Sequence, residues 1–183
     1  MARIPYPDPD SLPAEAQKAL ARLASPLNIM AMVSHAHTLL EPVLGLAEAL
    51  FTRLDLPPEV AELSILQVAL DTGAEYEWVQ HEPLALRAGV PAEQLAALRA
   101  GDTTWLDERQ RAAVRVAQWV CRGEDVPASE VEEIREVLTS RQLLELFLLT
   151  GCYLQLARII TVLEVDIDPA DGRLMKVQAD AGA

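Results

Sequence analysis

Apolar residues in this chain recur three and four positions apart over long stretches, and no stretch alternates strictly between apolar and polar. The first pattern lines one face of a helix, whereas strict alternation would mark a half-buried strand, so the sequence predicts helices. Gly and Pro fall where those helices should stop and start. A first helix is expected over 12–24 with Pro13 in its first turn, a short one over 27–34, and a longer one over 39–53 with Pro42 near its start. Asp55 followed by Leu56-Pro57-Pro58 signals the next start, and Val60, Leu63, Leu66, Val68 and Leu70 carry that helix to Gly73. Further helices are read over 74–88, stopped by Gly89, and over 91–100. The next, over 106–122, has the apolar stripe Ala113, Val116, Ala117 and Val120; another follows over 129–138. Ser140 is read as the cap of a very apolar helix over 142–163, and only Val165 to Ile167 hint at extended backbone. The fold class is all-α, with short connections that make neighbouring helices antiparallel. The near-continuous apolarity of 142–163 implies cover on most sides, other subunits included.

Composition bounds what such a bundle does. At 183 residues the chain suits one domain with a core that needs no staples. A net charge of −13, with Lys only at positions 18 and 176, argues against nucleic acid, which is gripped by clustered cations. No apolar stretch is read as long enough to cross a bilayer, so no membrane association is expected. The opening MARIPYPDPD lacks the apolar core and cleavage site of a signal peptide and reads as an extended arm; a cytoplasmic location follows as an expectation. Cys121 and Cys152 are too few and too isolated for a disulfide framework or a zinc site, and read as small buried hydrophobes.

Candidate chemistry gathers in the run EYEWVQH at 75–81. Glu77 and His81 stand four apart, on one helix face, and a carboxylate beside an imidazole can move a proton at neutral pH. The helices over 57–73 and 74–88 should form a hairpin at Gly73. Glu62 lies eleven residues before that Gly and His81 eight after it, at comparable heights from the turn given about 1.5 Å per residue. Glu62, Glu77 and His81 are therefore expected to converge. Two carboxylates and an imidazole could also hold a cation, but bundle metal sites repeat Glu-x-x-His on two helices and this hairpin has one His, so no metal is expected. Glu75 reads as a first-turn residue favoured by the helix dipole, and His35 and His37 as capping or surface residues. Tyr76 and Trp78, flanking Glu77, are candidate substrate contacts, although core or subunit contacts are the commoner use of such rings. Tyr153 and Arg158 lie in the apolar last helix, where polar groups need partners. Arg158 could meet a substrate carboxylate or pair across a subunit boundary with a residue such as Glu145.

This hairpin resembles the signature of the carboxymuconolactone decarboxylase and AhpD-like superfamily. In the AhpD peroxidase branch the pattern is Glu, eleven residues, Cys, two residues, Cys, three residues, His. On this chain the Glu falls at Glu62 and the His at His81, while the two Cys positions are Ala74 and Glu77. The decarboxylase branch similarly lacks the thiol pair and keeps Glu and His in a YEWxxH-like run. SHAHTLLEPVLGLAEAL upstream, HEPLALRAGVPAEQLAALRAG downstream and ELFLLTGCYLQLARIITVLEV near the C-terminus extend the likeness over roughly 25–168. The chain is accordingly divided into an arm and helix over 1–24, an AhpD-like helical domain over 25–168, which the resemblance covers, and a tail over 169–183. It also implies self-association as a homotrimer or homohexamer. The implied function is cofactor-free acid–base chemistry on a small organic acid or lactone: decarboxylation, isomerisation or a related lyase reaction. His81 would carry the proton, Glu62 or Glu77 would set its tautomer and pKa, and Tyr76, Trp78, Tyr153 and Arg158 would contact substrate. A thiol peroxidase needs the dithiol that Ala74 and Glu77 replace. A non-catalytic ligand-binding oligomer is the remaining alternative.

Overall fold

The computed structural model describes residues 1–23, 27–123 and 125–170, and among them the regular structure is helical without a strand. Nine helices follow in order: α1 (Ala14–Leu20), α2 (Asn28–Val33), α3 (His37–Thr52), α4 (Pro58–Thr72), α5 (Glu75–Arg87), α6 (Ala92–Arg99), α7 (Glu108–Arg122), α8 (Ala128–Val137) and α9 (Ser140–Leu163). Each ends within a few residues of its sequence expectation. The predicted end of the first helix at Ala24 and residues 171–183 of the expected tail lie outside the described residues.

Caps explain the sharpest boundaries. Asp107 Oδ1 accepts from the Gln110 N–H at 2.9 Å while Gln110 Oε1 accepts from the Asp107 N–H at 3.0 Å, a reciprocal box that opens α7. The same box opens α9 from Thr139 and Gln142, at 3.2 and 3.1 Å. The cap is thus Thr139, and Ser140 is the first helical residue. Pro57 precedes α4 without a side-chain cap; Asp55 instead donates its backbone N–H to Glu145 at 2.8 Å. His37 starts α3 and His35 sits in a 3-10 turn (Ser34–Ala36), its Nε2 2.9 Å from the Pro5 carbonyl oxygen; both side chains are exposed.

Helix α4 is the axis of the bundle, packed against α5, α7 and α9. Nine of its residues, from Val60 to Ala69, are buried, Glu62, Ser64 and Gln67 among them. The most enclosed helix is therefore α4, whereas α9 leaves Leu144, Phe147, Leu148 and Val162 exposed within the chain. At 24 residues α9 also has the length and apolarity of a membrane-crossing helix, as does the stretch Asn28–Thr52, against the expectation that no stretch approaches that length. A core helix passes the same test, and nothing about location follows.

Between α4 and α5 the chain turns at Gly73, whose φ of 68° is left-handed. The Ala74 N–H reaches back to the Ala69 carbonyl at 2.9 Å, closing the helix end in the Schellman manner. At the opposite end of the chain the N-terminal arm crosses α9: Arg3 N–H donates to Leu163 O at 2.8 Å and Tyr6 Oη to Asp166 Oδ2 at 3.0 Å. The backbone beyond α9, through 165–170, is extended but unpaired as a strand.

Candidate active site

The hairpin brings Glu62 and His81 into direct contact. His81 Nδ1 donates to Glu62 Oε2 at 2.8 Å, with 4 % of the imidazole and 11 % of the Glu62 side chain exposed. A carboxylate only accepts, so the hydrogen of this bond sits on Nδ1. Rings fix the imidazole on two sides. Phe51 of α3 lies parallel at 6.3 Å between centroids, and Tyr153 of α9 meets the imidazole edge-on at 4.9 Å. Burial pushes the Tyr153 hydroxyl well above its ordinary range, with Glu62 and Glu77 adding to the effect, so this phenol stays protonated.

His81 lines a narrow cavity of about 60 Å³ enclosed by α2, α3, α5 and α9. Its walls are mostly hydrocarbon, from Leu27, Ile29, Met30, Leu44, Leu50 and Ile160 among others, with Tyr76, Glu77, Gln80, Cys152 and Tyr153 as the polar members. A second cavity of about 410 Å³ lies on the Glu62 side and shares Leu50, Phe51 and Tyr153 with the first. The Glu62–His81 pair therefore touches both.

Glu77 lines the same cavity as His81, but neither of its oxygens has a hydrogen-bond partner among the described residues. It is 3 % exposed, and burial pushes its carboxyl well above the usual range. Of the two carboxylates expected to orient His81, the structure bonds Glu62 to the ring, while Glu77 is buried without a partner. Four-residue spacing put the two on one face, and the ring turned its Nδ1 toward α4.

The other expected contacts divide. Tyr153 is in the site. Tyr76 lines the cavity with its ring, but its hydroxyl donates to Asp168 Oδ2 at 2.5 Å and accepts from the Ile29 N–H at 3.5 Å. Trp78 is turned roughly 100° from Glu77 on the helix. It packs among Leu63, Leu95, Leu98 and Val114, with the Arg99 guanidinium 4.8 Å from its ring centroid, and does not line the cavity. Arg158 is exposed on α9 and outside the cavity lining. Glu145 pairs within its own helix with Arg141 at 2.8 Å. Glu75, at the start of α5, takes Arg99 at 2.8 Å.

Sequence reading missed Asp168 and Gln80. Asp168 Oδ2 accepts from Tyr76 and from the Asn28 N–H at 2.8 Å, and its carbonyl accepts from Gln80 Nε2 at 2.7 Å. The segment after α9 thereby fixes two cavity walls; the polar Gln80 on an inward face was the available signal. Cys152 is half-buried and lines the cavity, while burial pushes the Cys121 thiol up to about 11 and raises that of Cys152. Neither is a ready thiolate at neutral pH. Among the described residues no group of three or more His, Cys, Asp and Glu is placed to hold a metal ion.

Residues 38–119 match the model of the carboxymuconolactone decarboxylase family, a stretch that contains Glu62, Glu77 and His81. No curated protein matches the chain significantly. Seven solved chains do. One, described as an alkylhydroperoxidase AhpD core and uncharacterized peroxidase-related protein from Ralstonia eutropha JMP134, is 19 % identical with a TM-score of 0.74, over 96 % of this chain and 98 % of that one. Another, an uncharacterized peroxidase-related protein from Silicibacter sp. TM1040, is 18 % identical with a TM-score of 0.77, over 91 % and 92 %. At these identities the likeness is one of fold. The family's stretch spans the Glu62–His81 hairpin, and the fold shared with these two structures continues on either side of it.

Proposed function

We propose that this protein is a cofactor-free acid–base enzyme acting on a small organic acid or lactone, with His81 as the proton carrier. The observation that carries the reading is the buried 2.8 Å contact from His81 Nδ1 to Glu62 at the wall of a largely apolar cavity. Glu62 holds the imidazole in one tautomer and stabilises the imidazolium formed when Nε2 takes a proton. Proton abstraction beside a carbonyl leaves an enolate, and the same Nε2 proton returned to another carbon completes an isomerisation. In a decarboxylation the C–CO₂ bond breaks instead, its electron pair enters the conjugated carbonyl, and a protonated His81 delivers the proton to carbon. Self-association as a trimer or a multiple of it, at a cytoplasmic location, belongs to the same reading. Apolar surface left on α9 supports the association.

The test works whichever product forms. A panel of small ketones, lactones and keto acids is incubated in D₂O and followed by NMR for deuterium entering carbon and for loss of carbon dioxide. His81→Asn should reduce either signal by about 10²–10⁴-fold while the fold is kept. Exchange at the wild-type rate in His81→Asn would move the chemistry elsewhere. Dithiol-dependent hydroperoxide turnover that disappears on changing Cys121 and Cys152 to Ser would replace this reading with the peroxidase one.

A further inference from the structure

The cavity beside His81 holds two features that the Glu62–His81 pair does not use. One is the Glu77 carboxyl, 3 % exposed, without a partner for either oxygen. The other is Gln80 Oε1, also buried and unpartnered while its Nε2 is committed to Asp168. Buried polar atoms in native proteins are almost always bonded, so unpartnered ones facing a cavity mark where a ligand's polar atoms go. The cavity also lacks something. No Lys or Arg is among its described lining residues, and any positive charge on His81 is matched by Glu62. A carboxylate entering here would lose its water and gain no cation.

We propose that this cavity takes a neutral, largely apolar carbonyl compound, such as a ketone, lactone or ester, and that Glu77 is a catalytic residue donating its acid hydrogen to the carbonyl oxygen. This rests on the acid–base reading of His81 and selects within it the neutral substrates over the carboxylates. His81 Nε2 takes the proton from the carbon beside the carbonyl, the C–H electron pair becomes a C=C bond, and the carbonyl π pair moves to oxygen. That oxygen is met by the Glu77 hydrogen, so an enol is stabilised without a cation. The proton on Nε2 then returns to carbon while the enol oxygen gives its hydrogen back to Glu77, and no oxidant or reductant enters. Burial among Leu, Ile and Met side chains, the Tyr153 phenol and the Cys152 thiol favours the acid form of Glu77, and the His81 ring in the same lining is bonded to Glu62. Gln80 Oε1, an unpartnered acceptor in the same lining, would take a hydroxyl on the same molecule.

The probes are pentan-2-one and pentanoate, of similar length and thin enough for a narrow cavity, titrated into the full-length protein at neutral pH. Resonances of the His81 and Tyr153 rings report binding. Pentan-2-one should shift them saturably, and pentanoate should bind more weakly by about tenfold or more, because its charge is buried unpaired. Glu77→Gln, which keeps an N–H donor, should retain ketone binding, whereas Glu77→Leu should lose several-fold. The infrared spectrum of the wild type should contain a protonated-carboxyl band that vanishes in Glu77→Gln; this reading needs no ligand. The proposal is overturned by pentanoate binding as tightly as the ketone, by neither probe shifting these rings, by equal ketone binding in Gln and Leu variants, or by absence of the protonated band. His81→Asn does not enter this test, so the substrate class can fail while the acid–base reading stands, and the converse.

Discussion

Replacing Glu77 by Gln should stabilise the fold at neutral pH and remove one part of its pH dependence. The side chain is buried, unpartnered, and held by desolvation well above its ordinary value of 4.5. In the unfolded chain Glu77 releases its proton near that ordinary value; in the fold it keeps it. The folded state therefore holds one proton more over the window that opens at the unfolded value, and stability falls as pH rises through it. The contribution is complete below that window and is lost progressively as pH climbs toward the folded value. One proton sets a slope of at most ~1.4 kcal/mol per pH unit, a measurable part of a total of about 5–15 kcal/mol. Gln has nearly the same shape and does not titrate. Urea denaturation followed by the fluorescence of the buried Trp78 and Trp119, repeated across pH, gives the two curves. Their difference isolates Glu77, because the neighbouring His81, Glu62, Cys121, Cys152 and Tyr153 are common to both proteins. Parallel curves would mean that Glu77 ionises in the fold as freely as in water, and the neutral-acid argument would fail.

Two further outcomes follow from other contacts. Glu62→Leu strips the His81 Nδ1 hydrogen of its acceptor inside the protein and should cost about 1–3 kcal/mol in denaturation, with Glu62→Gln losing less because its amide oxygen still accepts; equal losses would deny the bond its role. Leu144 and Leu148 are 56 % and 61 % exposed on α9, so the wild type should scatter light as a species heavier than 20 kDa at micromolar concentration and the double Glu variant as a monomer; a monomeric wild type refutes the association.

The hairpin was legible because its signals are local: a Gly at the turn, apolar periodicity to either side, and a Glu and a His at matched heights. Local signals also gave the helices to within a few residues. What stayed hidden depends on neighbours distant in sequence. Helical spacing put Glu77 and His81 on one face but could not say that Nδ1 would turn to Glu62 on α4. Trp78 and Arg158 carry the right chemistry for a substrate contact, yet each sits on a different face, one packed toward α6 and α7 and the other toward solvent. The hold of Asp168 on Tyr76, 92 positions away, has no sequence signal at all. Apolarity in α9 was read as enclosure, when in the chain alone α4 is enclosed and α9 keeps an open face.

Position 77 is where the resemblance puts the second thiol of the peroxidase branch, and the chain's physics there argues against a thiol of that kind. A peroxidatic cysteine works as its thiolate, which needs a surrounding that favours negative charge. Around Glu77 burial does the reverse: it pushes the carboxyl well above its ordinary range and is the largest cause that raises the Cys152 thiol. Glu62, by contrast, has the imidazole as its partner at 2.8 Å. A cavity walled largely by hydrocarbon disfavours an isolated charge. Under the acid–base reading, Ala74 and Glu77 at the two thiol positions give a site whose polarity suits proton transfer.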